Sequence, residues 1–253
     1  MKRITHLLAI IPVALLCAAS GAQPAGFPET PPVAPPLEPT SLPPAFSQKL
    51  GNGMEVVCVT SDEIPWVSVS WYLLAGAKFD PPGKAGLASA TADLLRQGTT
   101  EHDTDALAEL LDFHAIDLGG SAGHETTAVY CGSLDRHVDL AVKTLAEVVR
   151  TPTFPKREFH RHMAQQMDGL RVAEADGSYW AGREIDRRVY GRHYLSQPAG
   201  GTSQSLPTIT RDDVIAFHKT HYMPNNALLV FSGAIQSSQA MELANKHFGD
   251  WKA

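Results

Sequence analysis

Basic residues are in short supply: the 253-residue chain has 21 lysines and arginines against 27 acidic residues. No lysine–arginine stripe offsets that balance, so the sequence lacks the footprint of a nucleic-acid-binding protein. Cysteine is scarcer still, at three residues, which excludes a disulfide-dense scaffold. Beyond Cys17 no apolar run approaches the roughly 20 residues needed to cross a bilayer. Hydrophobic residues at 43% and charged residues at 19% describe an ordinary folded chain, long enough for one sizeable core or two small ones.

What is present begins with an export signature. Lys2 and Arg3 precede the apolar run Leu7–Cys17, and Ser20-Gly21-Ala22 supplies small residues for cleavage. Residues 1–22 therefore read as a signal peptide, which predicts a periplasmic or secreted protein with no transmembrane segment after cleavage. A lipid anchor on Cys17 is disfavoured because Leu16 is too large for that signal. Loss of Lys2 and Arg3 with the signal makes the formal net charge of −6 two units more negative. Cys58 and Cys131 remain. Export permits a disulfide between them, but they fall on separate predicted strands, and free buried thiols fit equally well or better. Residues 23–46 are rich in proline, which fixes φ and removes amide donors, so they read as an extended linker.

Residues 47–253 read as a single domain. Met54–Thr60 and Trp66–Leu74 look like strands, the second placing Val67, Val69, Trp71 and Leu73 on one face. Helices are expected over Lys84–Gln97 and Thr104–His114, the latter capped by Thr104. A strand pair follows at Ile116–Ala122 and Glu125–Leu134. Further helices are expected over Asp135–Arg150, Pro155–Ala173, Ser178–Tyr190, Arg211–Tyr222 (capped by Thr210) and Ser237–Phe248, with a buried strand at Ala227–Ile235. Paired strands followed by helices imply an α+β fold, a largely antiparallel mixed sheet covered by helices.

The stretch GLASATADLLRQGT (Gly86–Thr99) has a glycine lead-in, an apolar stripe and a Gly-Thr exit. With Asp80-Pro81 before it, LGGSAGHETTAVYCGSL (Leu118–Leu134), PTFPKREF (Pro152–Phe159), Gly200-Gly201-Thr202 and ITRDDVIAFHKTHYMPNNALLVFSG (Ile209–Gly233), it resembles the pitrilysin/insulinase/mitochondrial processing peptidase family. The resemblance covers everything after the linker and implies the processing-peptidase-like metallohydrolase fold. Family members carry H-x-x-E-H on a helix, two histidines on one face holding zinc and a glutamate acting as base. They normally contain two such halves, and this chain resembles the first.

Laid on this sequence, the histidine positions fall on Ser89 and Asp93 and the glutamate on Ala92. The resemblance also implies a third ligand, a glutamate on a later helix. Counting back from Asp176-Gly177 puts it near Leu170, yet Gln165–Ala173 contains no glutamate. A catalytic zinc site usually takes three protein ligands and an open position. These positions offer one carboxylate, so no metal and no cofactor is expected, and no catalytic residue is assigned. On the same helix Asp93 and Arg96 are placed to pair. His218 and His221 read as packing residues, and His160 and His162 point to different helix faces.

The family binds peptides as an added strand at a sheet edge, a mode carried by backbone groups that survives loss of catalytic side chains. Gly120, Ser121, Ala122 and Gly123 occupy the matching stretch. A glycine-rich hairpin with a bulge explains the same residues. Three functions are consistent with this reading. The first is a non-catalytic subunit paired with a homologue bearing intact H-x-x-E-H, or with a separate second half, in periplasmic peptide or protein degradation. The second is a free-standing peptide-binding or scaffolding module. The third and weakest is a hydrolase with an unconventional site.

Overall fold

The computed structural model describes residues 43–252. The signal expectation and residues 23–42 of the linker lie outside the described residues. Six strands form one sheet in the order β1-β2-β6-β3-β5-β4. They are β1 (Ala45–Lys49), β2 (Glu55–Thr60), β3 (Trp66–Leu73), β4 (Asp117–Ala122), β5 (Thr127–Leu134) and β6 (Ala227–Gly233). All neighbours are antiparallel except β2 and β6, so the expected mixed and mostly antiparallel sheet is what forms. Strand β1 was not anticipated. Its residues AFSQK are all exposed and show no apolar alternation, so only the turn at Leu50–Met54 and pairing with β2 make it a strand.

Alternation in β3 buries Val67, Val69, Trp71 and Leu73 on one face, as the sequence pattern implied. Register places Phe231, Cys58 and Cys131 in the row of Val69, and Leu229, Val56 and Val129 in the row of Trp71. Cys58 and Cys131 thus share a face but sit three strand spacings apart, roughly 14 Å. A disulfide needs Cα atoms within about 7 Å. Both are free buried thiols, and burial pushes Cys131 up to about 12.

Among the described residues seven α-helices accompany the sheet: α1 (Leu87–Leu94), α2 (Thr104–His114), α3 (Val138–Arg150), α4 (Lys156–Glu174), α5 (Gly177–Tyr190), α6 (Arg211–His221) and α7 (Ser237–Phe248). Helices α3 and α7 lay Val142, Leu145, Val149, Ala240, Ala244 and Phe248 on the sheet's apolar face. The opposite face carries Ser68, Ser70, Tyr72 and Tyr130, half-buried or exposed. Thr210 caps α6 in a reciprocal box with Asp213. The cap of α2 is Asp103, which accepts from Ala106 N at 2.9 Å. Thr104, expected in that role, instead donates to the Gln97 carbonyl at 2.6 Å.

Candidate functional site

The expected helix over Lys84–Gln97 is confined to Leu87–Leu94. Its lead-in is held from outside: Asp80 carboxylate oxygens accept from Gly86 N at 2.8 Å and Ala88 N at 2.9 Å. Burial outweighs those amides and pushes the Asp80 carboxyl up to about 6. Gly86 lies at φ 100°, and a Cβ there would stand 3.0 Å from both Gly201 Cα and the Leu206 side chain. Gly201, at φ 86°, has no more room, and Ser205 Oγ donates to the Ala85 carbonyl at 2.7 Å. The two glycine motifs, over a hundred positions apart in sequence, interlock to fix where α1 begins.

Helix α1 then passes close beneath β4. A Cβ on Gly120 would be 3.3 Å from the Ala92 carbonyl, so glycine permits the approach. Strand β4 is an edge of the sheet. Gly123 N donates to Thr126 O, marking that opposed pair as hydrogen-bonded. By antiparallel alternation Ser121 and Gly119 bond to β5, while Leu118, Gly120 and Ala122 turn their N–H and C=O groups outward. Arg96 takes one of these, donating to the Leu118 carbonyl at 3.1 Å. Arg96 therefore reaches β4 rather than forming the expected pair with Asp93, although its charge is felt there.

A cavity of 470 Å³ opens beside this edge, lined by Asp93, Arg96, Gly120, His162 and Gln166 among others. Ala92 is buried and Ser89 half-buried on α1, with Asp93 on its cavity side. Burial pushes the Asp93 carboxyl up to about 6, against the pull of Arg96 and the Ser89 hydroxyl. The facing wall is α4, but its contact point is not Leu170, which packs against the core. His162 and Gln166, one helical turn apart, meet Asp93 instead. His162 Nε2 lies 3.7 Å from Asp93 Oδ2, and Gln166 Nε2 lies 3.5 Å from the same oxygen. Burial, and less the neighbouring Arg161 charge, holds the His162 pKa below the usual histidine range.

Sequence reasoning missed His162 at this site, and one signal could have found it. It and Gln166 flank the apolar positions Met163, Met167 and Leu170, so a half-buried polar pair at one-turn spacing lies beside the core stripe of α4. Two of the other histidines, His218 and His221, are occupied in packing, as expected. His218 Nε2 is 2.9 Å from the Val149 carbonyl, and His221 stacks on Phe79 and Phe217. His160 lines a different cavity with Phe159 and Met163.

These residues do not fit the zinc centre that H-x-x-E-H builds. The serine at the first histidine position is turned to Asp93, and the alanine at the glutamate position has no proton acceptor. No hydrolytic step can be derived from them.

Residues 55–196 match the insulinase family (peptidase family M16), and residues 208–253 match the peptidase M16 inactive domain. A Helicobacter pylori protein named non-peptidase homolog YmxG is 25% identical over 170 residues, covering 67% of this chain and 39% of its own length. The crystal structure of a peptidase M16 inactive domain from Pseudomonas fluorescens superposes with a TM-score of 0.75 at 27% identity, covering 79% of this chain and 49% of that one. The periplasmic protease PqqL from Escherichia coli shares the fold, with a TM-score of 0.76 at 16% identity over 82% of this chain and 24% of its own. This chain spans about half the length of curated relatives it matches, 48% and 50% in two of them. Family match, sheet order and the glycine-locked helix agree: the chain belongs to the insulinase family, peptidase family M16.

Proposed function

We propose that this chain is a non-catalytic member of its family that holds extended peptides along β4 and works beside a zinc-bearing homologue or a separate second half. The observation that carries the reading is Ala92. It lies directly under the free edge of β4, where family chemistry requires a base, and has none to offer. The outward N–H and C=O groups of Gly120 and Ala122, and the Leu118 N–H, remain available for a strand to add, while Arg96 holds the Leu118 carbonyl. The half-length match to relatives, together with names such as non-peptidase homolog and inactive domain among them, supports a partner carrying the chemistry. The export signature and the likeness to a periplasmic protease favour the periplasm. Among the described residues no helix is long and apolar enough to cross a membrane.

The test is to mix the purified mature chain with a zinc-bearing homologue encoded in the same genome. Turnover of a fluorogenic peptide that appears only in the mixture, with co-elution of the two chains, is expected. Peptide binding without association with any such homologue would favour the free-standing peptide-binding module, which the open β4 edge serves equally well. Hydrolysis by this chain alone would overturn both.

A further inference from the structure

Among the charged groups of the cavity between α1 and α4, donors outnumber acceptors. Arg96 spends one N–H on the Leu118 carbonyl, and its others have no protein partner among the described residues. Arg161 gives Nε to Glu158 and Nη2 to Gln97 Oε1 at 3.0 Å, which leaves Nη1. Buried polar atoms nearly always find a partner, yet His162 Nε2 is buried and has none. Asp93 Oδ2, 3.7 Å away, is too far for a hydrogen bond. With the ring proton on Nε2, His162 is a donor without an acceptor. The one carboxylate on the lining is Asp93.

The charge follows the donors. Glu158 is paired with Arg157 as well as Arg161, two guanidiniums to one carboxylate. Arg96 offsets Asp93, whose own carboxyl is pushed up to about 6 by burial. The surroundings are therefore positive overall, which repels a cation and suits a carboxylate. A guanidinium takes a carboxylate through charge-assisted hydrogen bonds, stronger than those between neutral groups.

Resting on the reading that a peptide adds to β4, we propose that the peptide is acidic: a glutamate or aspartate aligned with Gly120 turns its carboxylate into this cavity, where Arg96, Arg161 and His162 hold it. The register of β4 sets the direction. Leu118, Gly120 and Ala122 share the face toward the helices, where Leu118 is buried and a Cβ on Gly120 would meet the Ala92 carbonyl. Residues directly opposite in paired strands turn their side chains to one face. A peptide residue opposite Gly120 thus points between α1 and α4, and Gly120 has no side chain to block it. Of those three positions only Gly120 lines the cavity, so the preference belongs to a single peptide position.

The experiment takes the mature chain and fluorescein-labelled peptides of alternating threonine and serine that differ only in a central glutamate, glutamine or lysine. Anisotropy near neutral pH should show the glutamate peptide bound roughly three- to tenfold more tightly than the glutamine peptide, with lysine weakest. Arg96→Gln and Arg161→Gln should each shrink that preference while leaving the glutamine peptide within about twofold. Asp93→Asn, which removes the one negative charge facing the ligand, should tighten the glutamate peptide about two- to threefold. Thermal melts check that each variant folds, and Arg161→Lys, which keeps the charge, should keep most of the preference. Equal affinities for the peptides, or a preference indifferent to both arginines, would overturn the inference and leave strand addition standing. Displacement of the glutamate peptide by an equal concentration of free glutarate would assign the cavity to a small acid and overturn the peptide. A glutamate preference untouched by Ala122→Pro would instead sink strand addition and leave the carboxylate site. Capture of none of the peptides would sink both.

Discussion

At the scale of single residues, two positions carry consequences out of proportion to their size. Gly86 adopts a left-handed conformation with Gly201 and Leu206 at 3.0 Å from where a Cβ would go. Gly86→Ala should therefore lower stability by about 1–3 kcal/mol, read as a reduced urea midpoint with an unchanged slope. Asp80 makes a pH-dependent contribution. Its carboxyl titrates near 6 in the folded chain against an ordinary value of 3.8, so it favours the folded state fully below about pH 4. That contribution is lost as pH rises through 6. Urea unfolding of the unaltered chain and of Asp80→Asn, measured from pH 4 to 7.5, should give a stability difference that moves against the unaltered chain as pH rises, whatever opposite slope the lowered His162, His218 and His221 add to both. A slope of the same sign will remain from Asp93, whose carboxyl is pushed up in the same way.

At the scale of elements, β4 is the testable unit. Ala122 points its N–H away from β5, so Ala122→Pro removes an outward donor without breaking a ladder bond. Capture of an extended peptide, followed by fluorescence anisotropy, should weaken several-fold while the melting curve stays near that of the unaltered chain. Unchanged affinity would count against edge binding. Most elements were legible because their patterns are strong: alternation in β3, and an apolar face along α3. What escaped had no local pattern. Strand β1 is exposed at every residue, and α1 is cut short by a left-handed glycine whose neighbour is Gly201. In the site, motif spacing pointed to Ser89, Ala92 and Asp93, but nothing in the spacing says which residue of α4 faces them. Counting back from a distant turn lands on Leu170, a full turn from Gln166. Only the packing of two helices decides that, and it is what brings His162 to Asp93.

At the scale of the whole molecule, the sheet order has a consequence for how the chain is made. Strand β6 comes last in sequence yet sits between β2 and β3, and without it the sheet is two separate pieces, β1-β2 and β3-β5-β4. Its burial of Leu229 and Phe231 supplies the middle of the core. A chain ending before Ala227 should therefore lack cooperative unfolding by circular dichroism and be cut rapidly by protease. Long-range pairing of this kind also delays folding. The other five strands are all made before this keystone, so the nascent chain stays open and unjoined until Ala227–Gly233 has emerged.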